Sequence, residues 1–242
     1  MTVAGRLIYI GHATVLIELD GVRLLTDPVL RSRVWHLRRR VPLDAAGFGG
    51  IDAALLSHVH FDHLDRPSLR MFGTNLTVVL PVGAGRLLRG FSDVREVDVG
   101  DKVYIGGVTV RATRAEHLGT RFLLTSAPSL GFVVSGSRRI YFAGDTDLFA
   151  EMSALAGSLD VALLPVAGWG SKVGPGHLDP LRAAQALQLL RPRVAVPIHW
   201  GTFSPWNQNT SADPPESFLQ HAAELAPSVE VRILEPGSAL TF

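Results

Sequence analysis

Short apolar runs recur along most of the chain and are separated by glycine, proline and aspartate. This pattern is typical of buried strands joined by tight turns. Asp20-Gly21 lies between two such runs and is a strong hairpin signal. The predicted strands cover 7–10, 14–19, 22–26, 53–56, 76–80, 94–97, 102–105, 108–113, 132–135, 139–142, 161–165, 194–198 and 229–234.

Helical signals are fewer and lie between or after the strands. Asp179 followed by Pro180 is a helix start, and an apolar stripe continues from there to Leu190. Asp213-Pro214-Pro215-Glu216 resembles a capping box for a last helix that ends near Leu225. Strands in two groups, each followed by helices, predict an α/β fold with two packed sheets and helices outside. Further short helices are predicted from Asp65 to about Phe72, over 82–90 and over 150–156.

Composition narrows the class of protein. The 242 residues are 47% apolar and 19% charged, as in an ordinary globular protein, and we expect one domain over 1–242. A net charge of +1 gives no reason to expect a nucleic-acid partner, and at most peripheral contact with a membrane. The absence of cysteine excludes disulfides and thiolate ligands. No signal peptide and no apolar stretch of roughly 18 residues are evident, so we expect a cytoplasmic protein.

The chemistry concentrates in the segment Ser57–Leu64, directly after the strand over 53–56. It contains His58, His60, Asp62 and His63. His58 and His60 are two residues apart, so an extended backbone points both imidazoles to one side. The next two side chains lie on a turning segment and can face a different point. A lone histidine is more often satisfied by backbone hydrogen bonds, but four candidate ligands within six residues favour two adjacent metal ions.

Other candidate ligands also follow predicted strands, where a rigid scaffold presents functional loops. These are His117, Asp145 and His199. Three ligands for each ion and a bridging carboxylate would form a two-metal site. His58, His60 and His117 can hold the first ion; Asp62, His63 and His199 can hold the second, with Asp145 bridging. The donors suit two divalent ions, with zinc favoured over manganese or iron, and a metal-bridging hydroxide predicts hydrolysis.

A basic stretch over 31–40 carries five arginines interleaved with apolar residues. Arg38 and Arg39 are its candidates for binding an anionic substrate, phosphate especially. A solvated loop face explains the same pattern. Contact with an anionic membrane surface is a further alternative.

The run from His58 to His63, with the later histidines and aspartate, resembles the metallo-β-lactamase superfamily over essentially the whole chain. The resemblance implies a four-layer αββα sandwich with a dinuclear site at one edge of the sheets. It also implies that Asp27, in Thr26-Asp27-Pro28, supports the metal-binding loop.

The segments around His12, Asp27, His177 and His199 resemble the branch that contains N-acyl-phosphatidylethanolamine-hydrolysing phospholipase D, with ascorbate-6-phosphate lactonases as more distant relatives. That similarity implies that His177 assists catalysis or contacts substrate and that His12 lines the same cleft. Leu118 follows His117 where that branch usually has an aromatic residue, so a lipid substrate does not follow from the resemblance.

The leading hypothesis is therefore a dinuclear hydrolase acting on a small-molecule or lipid phosphodiester, in the manner of phospholipase D. Asp62 would orient the nucleophile, and His177 would steady the phosphate or the leaving group. A lactonase, or another acyl or thioester hydrolase, is the enzymatic alternative, because the same nucleophile can attack a carbonyl. A metal-binding module without catalysis is the alternative from another class. The sequence leaves the oligomeric state open.

Overall fold

A computed structural model describes residues 5–43, 49–121, 125–167, 174–205 and 214–242. Its main elements are two seven-stranded mixed sheets, and each sheet has three antiparallel and three parallel strand pairs. In each sheet a meander of antiparallel strands is followed by parallel strands that need crossover connections.

The first sheet has the strand order β19-β1-β2-β3-β6-β7-β8. The tight turn at Asp20 and Gly21, both at positive φ, joins β2 to β3 as the sequence predicts. The strands are β1 (Arg6–Gly11), β2 (Thr14–Leu19), β3 (Val22–Thr26), β6 (Ala53–Leu55), β7 (Thr77–Pro81), β8 (Asp93–Val97) and β19 (Ala239–Thr241).

The second sheet has the order β18-β16-β15-β14-β13-β10-β9. Its parallel strands β14, β15 and β16 are apolar almost throughout, as expected for strands covered on both faces. The strands are β9 (Lys102–Ile105), β10 (Val108–Arg114), β13 (Leu130–Ser135), β14 (Arg139–Phe142), β15 (Val161–Pro165), β16 (Val194–Ile198) and β18 (Glu230–Val231).

Successive side chains of a strand point to opposite faces of the sheet, so each strand contributes to two layers of the core. In β6, Ala53 and Leu55 pack between the two sheets, whereas Ala54 faces a cluster on the outer side of the first sheet. In β15, Leu163 faces the space between the sheets and Leu164 faces the helices outside the second sheet. Apolar residues on both faces of both sheets therefore produce the predicted four-layer αββα arrangement.

The helices cover the outer faces. α1 (Arg66–Arg70) packs on the first sheet, and α2 (Pro180–Leu190) and α3 (Pro214–Leu225) pack on the second. The Asp179 side chain caps α2 by accepting a hydrogen bond from Arg182 N (2.8 Å), as predicted. The predicted capping residue Asp213 of α3 lies outside the described residues.

Several sequence predictions of secondary structure were wrong in length or type. The helix predicted over 82–90 is only a 3-10 turn at Gly85–Leu88, since Gly83 and Gly90 take positive φ on either side of it. The helix predicted over 150–156 is also a 3-10 helix (Ala150–Leu155). The strand predicted over 229–234 is only two residues long in the structure, where it is the edge strand β18. The strand β19 was not predicted.

The described residues also form two smaller sheets. A hairpin of β4 (Arg33–Val34) and β5 (Leu37–Arg39) pairs with β17 (Phe203–Pro205), and β11 (Thr120–Arg121) pairs with β12 (Thr125–Ser126). The hairpin gives regular structure to part of the stretch over 31–40. Of the helices in the described residues, none has the length and apolar character needed to span a membrane.

Candidate metal centre

The predicted ligands converge at one edge of the two sheets. Each ligand follows the carboxyl end of a strand, as the strand-end argument predicts. The loop after β6, residues 57–64, is called the ligand loop below and supplies four of the seven side chains. The others come from after β10, β14 and β16: His117, Asp145 and His199.

The first set of donors is His58, His60 and His117. Their facing ring nitrogens are close together: His60 Nδ1 lies 3.0 Å from His58 Nε2 and 3.2 Å from His117 Nε2. His58 is fully buried, whereas the other two are half-buried. The set is therefore closed on one side and accessible on the other.

Hydrogen bonds on the far side of the rings determine which nitrogens carry lone pairs. His117 Nδ1 donates to the carbonyl oxygen of Gly176 (2.8 Å), so a neutral ring has its lone pair on Nε2. The Ser57 hydroxyl donates to Asp27 Oδ2 (2.6 Å) and must accept from His58 Nδ1 (2.9 Å). Two lone pairs therefore face His60 Nδ1, which has at most one proton to offer.

The second set consists of Asp62, His63 and His199. His63 Nδ1 donates to Asp27 Oδ2 (2.7 Å), and His199 Nδ1 donates to the carbonyl oxygen of Ala167 (2.8 Å). The Nε2 atoms of the two histidines then face each other at 3.2 Å. Asp62 Oδ2 lies 3.8 Å from the first of these nitrogens and 4.0 Å from the second.

Asp145 lies between the two sets, where a bridging carboxylate is predicted. One oxygen, Oδ2, is 3.1 Å from His63 Nε2 and 3.9 Å from His58 Nε2. The other, Oδ1, is 3.3 Å from His199 Nε2 and is buried without a hydrogen-bond partner among the described residues. A buried acceptor in that state is costly unless a cation or a donor satisfies it.

His177 stands at the mouth of the centre. Its Nε2 lies 3.5 Å from Asp145 Oδ2, and its ring centroid is 4.5 Å from that of His117. The side chain is half-buried, so it can touch both the cluster and a ligand in the cleft. Although burial opposes protonation, the Asp145 carboxylate raises the pKa of His177 above its usual value.

Asp27 supports the ligand loop from below. The side chain is completely buried and accepts hydrogen bonds from Ser57 N (2.7 Å), the Ser57 hydroxyl (2.6 Å) and His63 Nδ1 (2.7 Å). One carboxylate thus orients the first residue of the loop and one ligand of the second set. This geometry fits a supporting role rather than a ligand role.

His12 is held against the second set. Its Nε2 is 3.1 Å from Asp62 Oδ2, and since a carboxylate only accepts, Nε2 must carry the proton and donate. Its ring centroid lies 3.9 Å from that of His199. The residue is 2% exposed and has a φ of 59°, an uncommon conformation for a side chain other than glycine.

The charges of the centre favour a cation. Burial and the neighbouring His63 lower the pKa of His60 to about 4, and burial lowers that of His199 to about 3, so both rings are neutral at neutral pH. Burial alone would raise the pKa of the Asp62 carboxyl, but His63 and His12 hold it well below its usual value. Burial likewise opposes a charge on His63, yet Asp145, Asp62 and Asp27 raise its pKa well above the usual value.

The donors present fit two metal ions. In the first set, His60 Nδ1 can donate to only one of the two lone pairs that face it, and the Asp145 Oδ1 atom between the sets is buried without a partner among the described residues. Cations at the two sets would satisfy these atoms. Nitrogen and oxygen donors without sulfur match zinc, manganese or iron. The outer hydrogen bonds to carbonyl and carboxylate groups are the partners that metal-binding histidines usually have.

The two predicted substrate-binding arginines do not join the cluster. Arg39 Nη2 donates to the carbonyl oxygen of Val29 (2.5 Å), and burial lowers the pKa of its guanidinium to about 10. Arg38 and Arg39 alternate along β5, and both line a separate cavity together with Ser204. A role of either arginine in binding substrate stays a prediction.

Sequence reasoning gave no role to two side chains that organise the centre. Ser57 links Asp27 to His58, and Thr202 accepts a hydrogen bond from His12 N (2.7 Å) through its hydroxyl. Ser57 is adjacent to the ligand cluster in sequence, which was the available signal. Thr202 lies 190 residues from His12, and the sequence carries no local signal for that contact.

Comparisons with known proteins agree with this fold. The family model described as a beta-lactamase superfamily domain matches residues 22–200. A UPF0173 metal-dependent hydrolase of Methanopyrus kandleri is 33% identical over 97% of this chain and 98% of its own. A second protein of that name, from Rubrobacter xylanophilus, is 32% identical over 97% of this chain and 96% of its own.

Among solved structures, the metallo hydrolase Igni18 from Ignicoccus hospitalis superposes with a TM-score of 0.78 at 27% identity, covering 99% of both chains. The family match covers most of the chain and includes the ligand loop, Asp27, and every other candidate ligand. The chain therefore belongs to the metallo-β-lactamase superfamily.

Proposed function

We propose that the protein is a dinuclear metal-dependent hydrolase that cleaves phosphodiesters. The observation that carries the proposal is the pair of donor sets on either side of Asp145 in a cleft that is open at His60, His117 and His177. Two-metal sites of this kind suit in-line displacement at phosphorus, since both the attacking and the leaving oxygen need stabilisation. The names of the relatives, metal-dependent hydrolases, support the general class.

The ions, zinc in the first instance, would be held by His58, His60 and His117 on one side and by Asp62, His63 and His199 on the other, with Asp145 shared. When bound, they would supply Lewis-acid activation of water and of a phosphoryl oxygen. Asp62 would accept a hydrogen bond from a water molecule beside the second set and orient it toward the substrate. His12 keeps that carboxylate in place through its own hydrogen bond.

His177 serves the other side of the reaction. Its ring faces the cleft, and a raised pKa allows Nε2 to carry a proton near neutral pH. A protonated Nε2 can donate a hydrogen bond to a phosphoryl oxygen or a proton to the leaving alkoxide. His177→Gln should therefore reduce kcat most for substrates with poor leaving groups, and least for nitrophenyl esters.

The test compares hydrolysis of bis(p-nitrophenyl) phosphate with that of a lactone and a thioester by the zinc-loaded protein. We expect turnover of the phosphodiester that is lost in Asp145→Asn and after chelation, and restored by zinc. Asp160→Asn, which changes a carboxylate whose side chain contacts Arg139 N and Arg138, is the matched control and should retain full activity.

Two outcomes would contradict the proposal. Faster turnover of the lactone or thioester would identify an acyl hydrolase, since the same centre can activate water for attack on a carbonyl. Fewer than one metal ion per chain, or phosphodiesterase activity that persists in the chelated protein, would exclude the metal-dependent mechanism altogether.

A further inference from the structure

A cavity of about 400 Å³, called the side cavity below, lies between the β4–β5 hairpin and the start of α1. Phe61 forms part of its wall and lies between His60 and Asp62 in the ligand loop. Consecutive Cα atoms are about 3.8 Å apart, so the side cavity begins within a distance on the order of 10 Å of the candidate metal ligands. The ligand loop therefore borders both the metal centre and the side cavity.

The apolar wall of the side cavity is aromatic. The ring of Phe61 stacks on that of Trp35, with centroids 6.0 Å apart and an interplanar angle of 29°. Val34 is buried behind them. Trp35 is nevertheless 65% exposed and has a φ of 50°, an unusual conformation for a large side chain. Exposed aromatic surface held in this way is typical of a binding site.

The opposite rim is basic. Arg66 and Arg70 of α1 line the cavity together with Arg31 and Asp65, so three arginines face one aspartate. Asp65 is already engaged: Arg31 donates to both of its oxygens (2.5 and 2.9 Å), and the Ser68 hydroxyl donates to Oδ2 (2.6 Å). The rim therefore keeps the equivalent of two uncompensated positive charges.

One donor on this rim lacks a partner. Arg66 Nη2 donates to the carbonyl oxygen of Arg89 (3.1 Å), but the Nε of Arg66 is buried and has no hydrogen-bond partner among the described residues. Arg70 is exposed and forms no ion pair with another residue that the structure describes. Arg66 and Arg70 both line the side cavity, so an anionic group there can accept charge-assisted hydrogen bonds from their accessible N–H groups, and bonds of this kind are the strong ones.

We propose that the side cavity is a substrate subsite that binds an apolar group carrying a negative charge. The aromatic wall takes the apolar body, and Arg66 and Arg70 take the anionic group. As a statement about substrate, the inference rests on the proposed function: the ester bond lies at the metal centre and the anionic group lies on the far side of Phe61. The subsite as a binding site can be tested without turnover.

The first experiment measures binding of 2-naphthalenesulfonate to the zinc-loaded full chain by calorimetry, with the neutral 2-naphthalenemethanol beside it. The Arg66→Gln/Arg70→Gln double variant should weaken sulfonate binding at least 10-fold and leave the neutral compound unchanged. Trp35→Leu should weaken both compounds about 2- to 10-fold, because it removes the aromatic contact. Arg193→Gln, an exposed arginine outside the cavity, should change neither.

The second experiment compares two aryl phosphodiesters that differ by one carboxylate on the aryl ring. In the double variant, KM for the charged ester should rise at least 10-fold, with kcat within 2-fold of the parent and the neutral ester unaffected. If neither ester is hydrolysed but the sulfonate result holds, the proposed function fails and the subsite stands.

Sulfonate binding that is equal in the parent, the double variant and Arg193→Gln would overturn the subsite, whatever the enzyme hydrolyses. If the Arg66 substitution prevents folding, Arg70→Gln alone decides, because that side chain is exposed and has no structural partner among the described residues. A loss of less than 2-fold in Arg70→Gln, with neutral binding unchanged, would then count against the proposal.

Discussion

His12→Asn is expected to weaken binding of one metal ion and spare the other. His12 Nε2 donates to Asp62 Oδ2 (3.1 Å), whereas the hydrogen bonds of the first set, within the described residues, join its histidines to one another and not to His12. Asparagine tolerates the left-handed backbone that a φ of 59° requires, but its side chain is too short to reach the carboxylate. The substitution therefore removes the hydrogen bond without adding backbone strain.

The magnitude follows from that single bond. A hydrogen bond to a charged acceptor contributes about 1.5–3 kcal/mol, and about 1.4 kcal/mol corresponds to a tenfold change in affinity. The affinity of the second set should fall roughly 10- to 100-fold, the usual effect of losing an outer partner of a metal ligand. Asp62 would keep its place in the ligand loop but lose its preferred orientation.

The assay titrates zinc into the metal-free protein in competition with a chromophoric chelator. It resolves the zinc affinities of the two sets of donors. His221→Asn, a histidine on α3, is the matched control and should leave both affinities unchanged. Two unaltered affinities in His12→Asn would refute the reasoning, and so would an equal loss at both sets. In the second case His12 would act through general stability rather than through Asp62.

Three further predictions test the surroundings of the centre. Gly144→Ala should lower the free energy of unfolding, measured by urea titration, by more than about 2 kcal/mol, because φ is 62° and the added Cβ would lie 2.6 Å from Ser57 Cβ. Gly157→Ala is the control: this glycine also has a positive φ, but no atom lies within 4 Å of the added Cβ, so the loss of stability should be smaller. Asp27→Asn should lower zinc affinity at least 10-fold, since an amide nitrogen cannot accept, whereas Asp20→Asn should not. Zinc at about 1,000 times its Kd should stabilise the metal-free protein by about 4 kcal/mol for each site that it fills, which raises Tm by roughly 8–16 °C per site. An unchanged Tm would argue against both sites.

The positions of the candidate ligands followed from sequence because strand-end placement is a local signal. Apolar runs mark the strands, and the residue just after each run must lie at a sheet edge. His117, Asp145 and His199 converge for that reason, although they are far apart in the chain. The sheets and their outer helices also followed, since period-2 runs and capping residues are local features.

Long-range contacts and side-chain direction did not follow. The stretch over 31–40 has no clear period, so nothing in it indicates which face of β5 turns inward. Arg39 turns inward and binds the Val29 carbonyl oxygen. The strand β19 was missed because its three residues pair with β1 across almost the whole chain, and such pairing has no local signature.

Two histidines with a strained backbone lie at the edge of the sheets, at the second set of donors. His12 and His199 both have positive φ, and each such residue costs on the order of 1–3 kcal/mol. The two are joined directly, since His199 N donates to the carbonyl oxygen of His12 (2.8 Å) and their rings lie in contact. One follows β1 in the first sheet and the other follows β16 in the second, so this link holds the two sheet edges together at the second set of donors. Strain of this kind persists only where surrounding contacts over-determine it, and here those contacts also orient Asp62 and His199. The second set is therefore preformed by the fold, and binding of an ion need not bring its donors together.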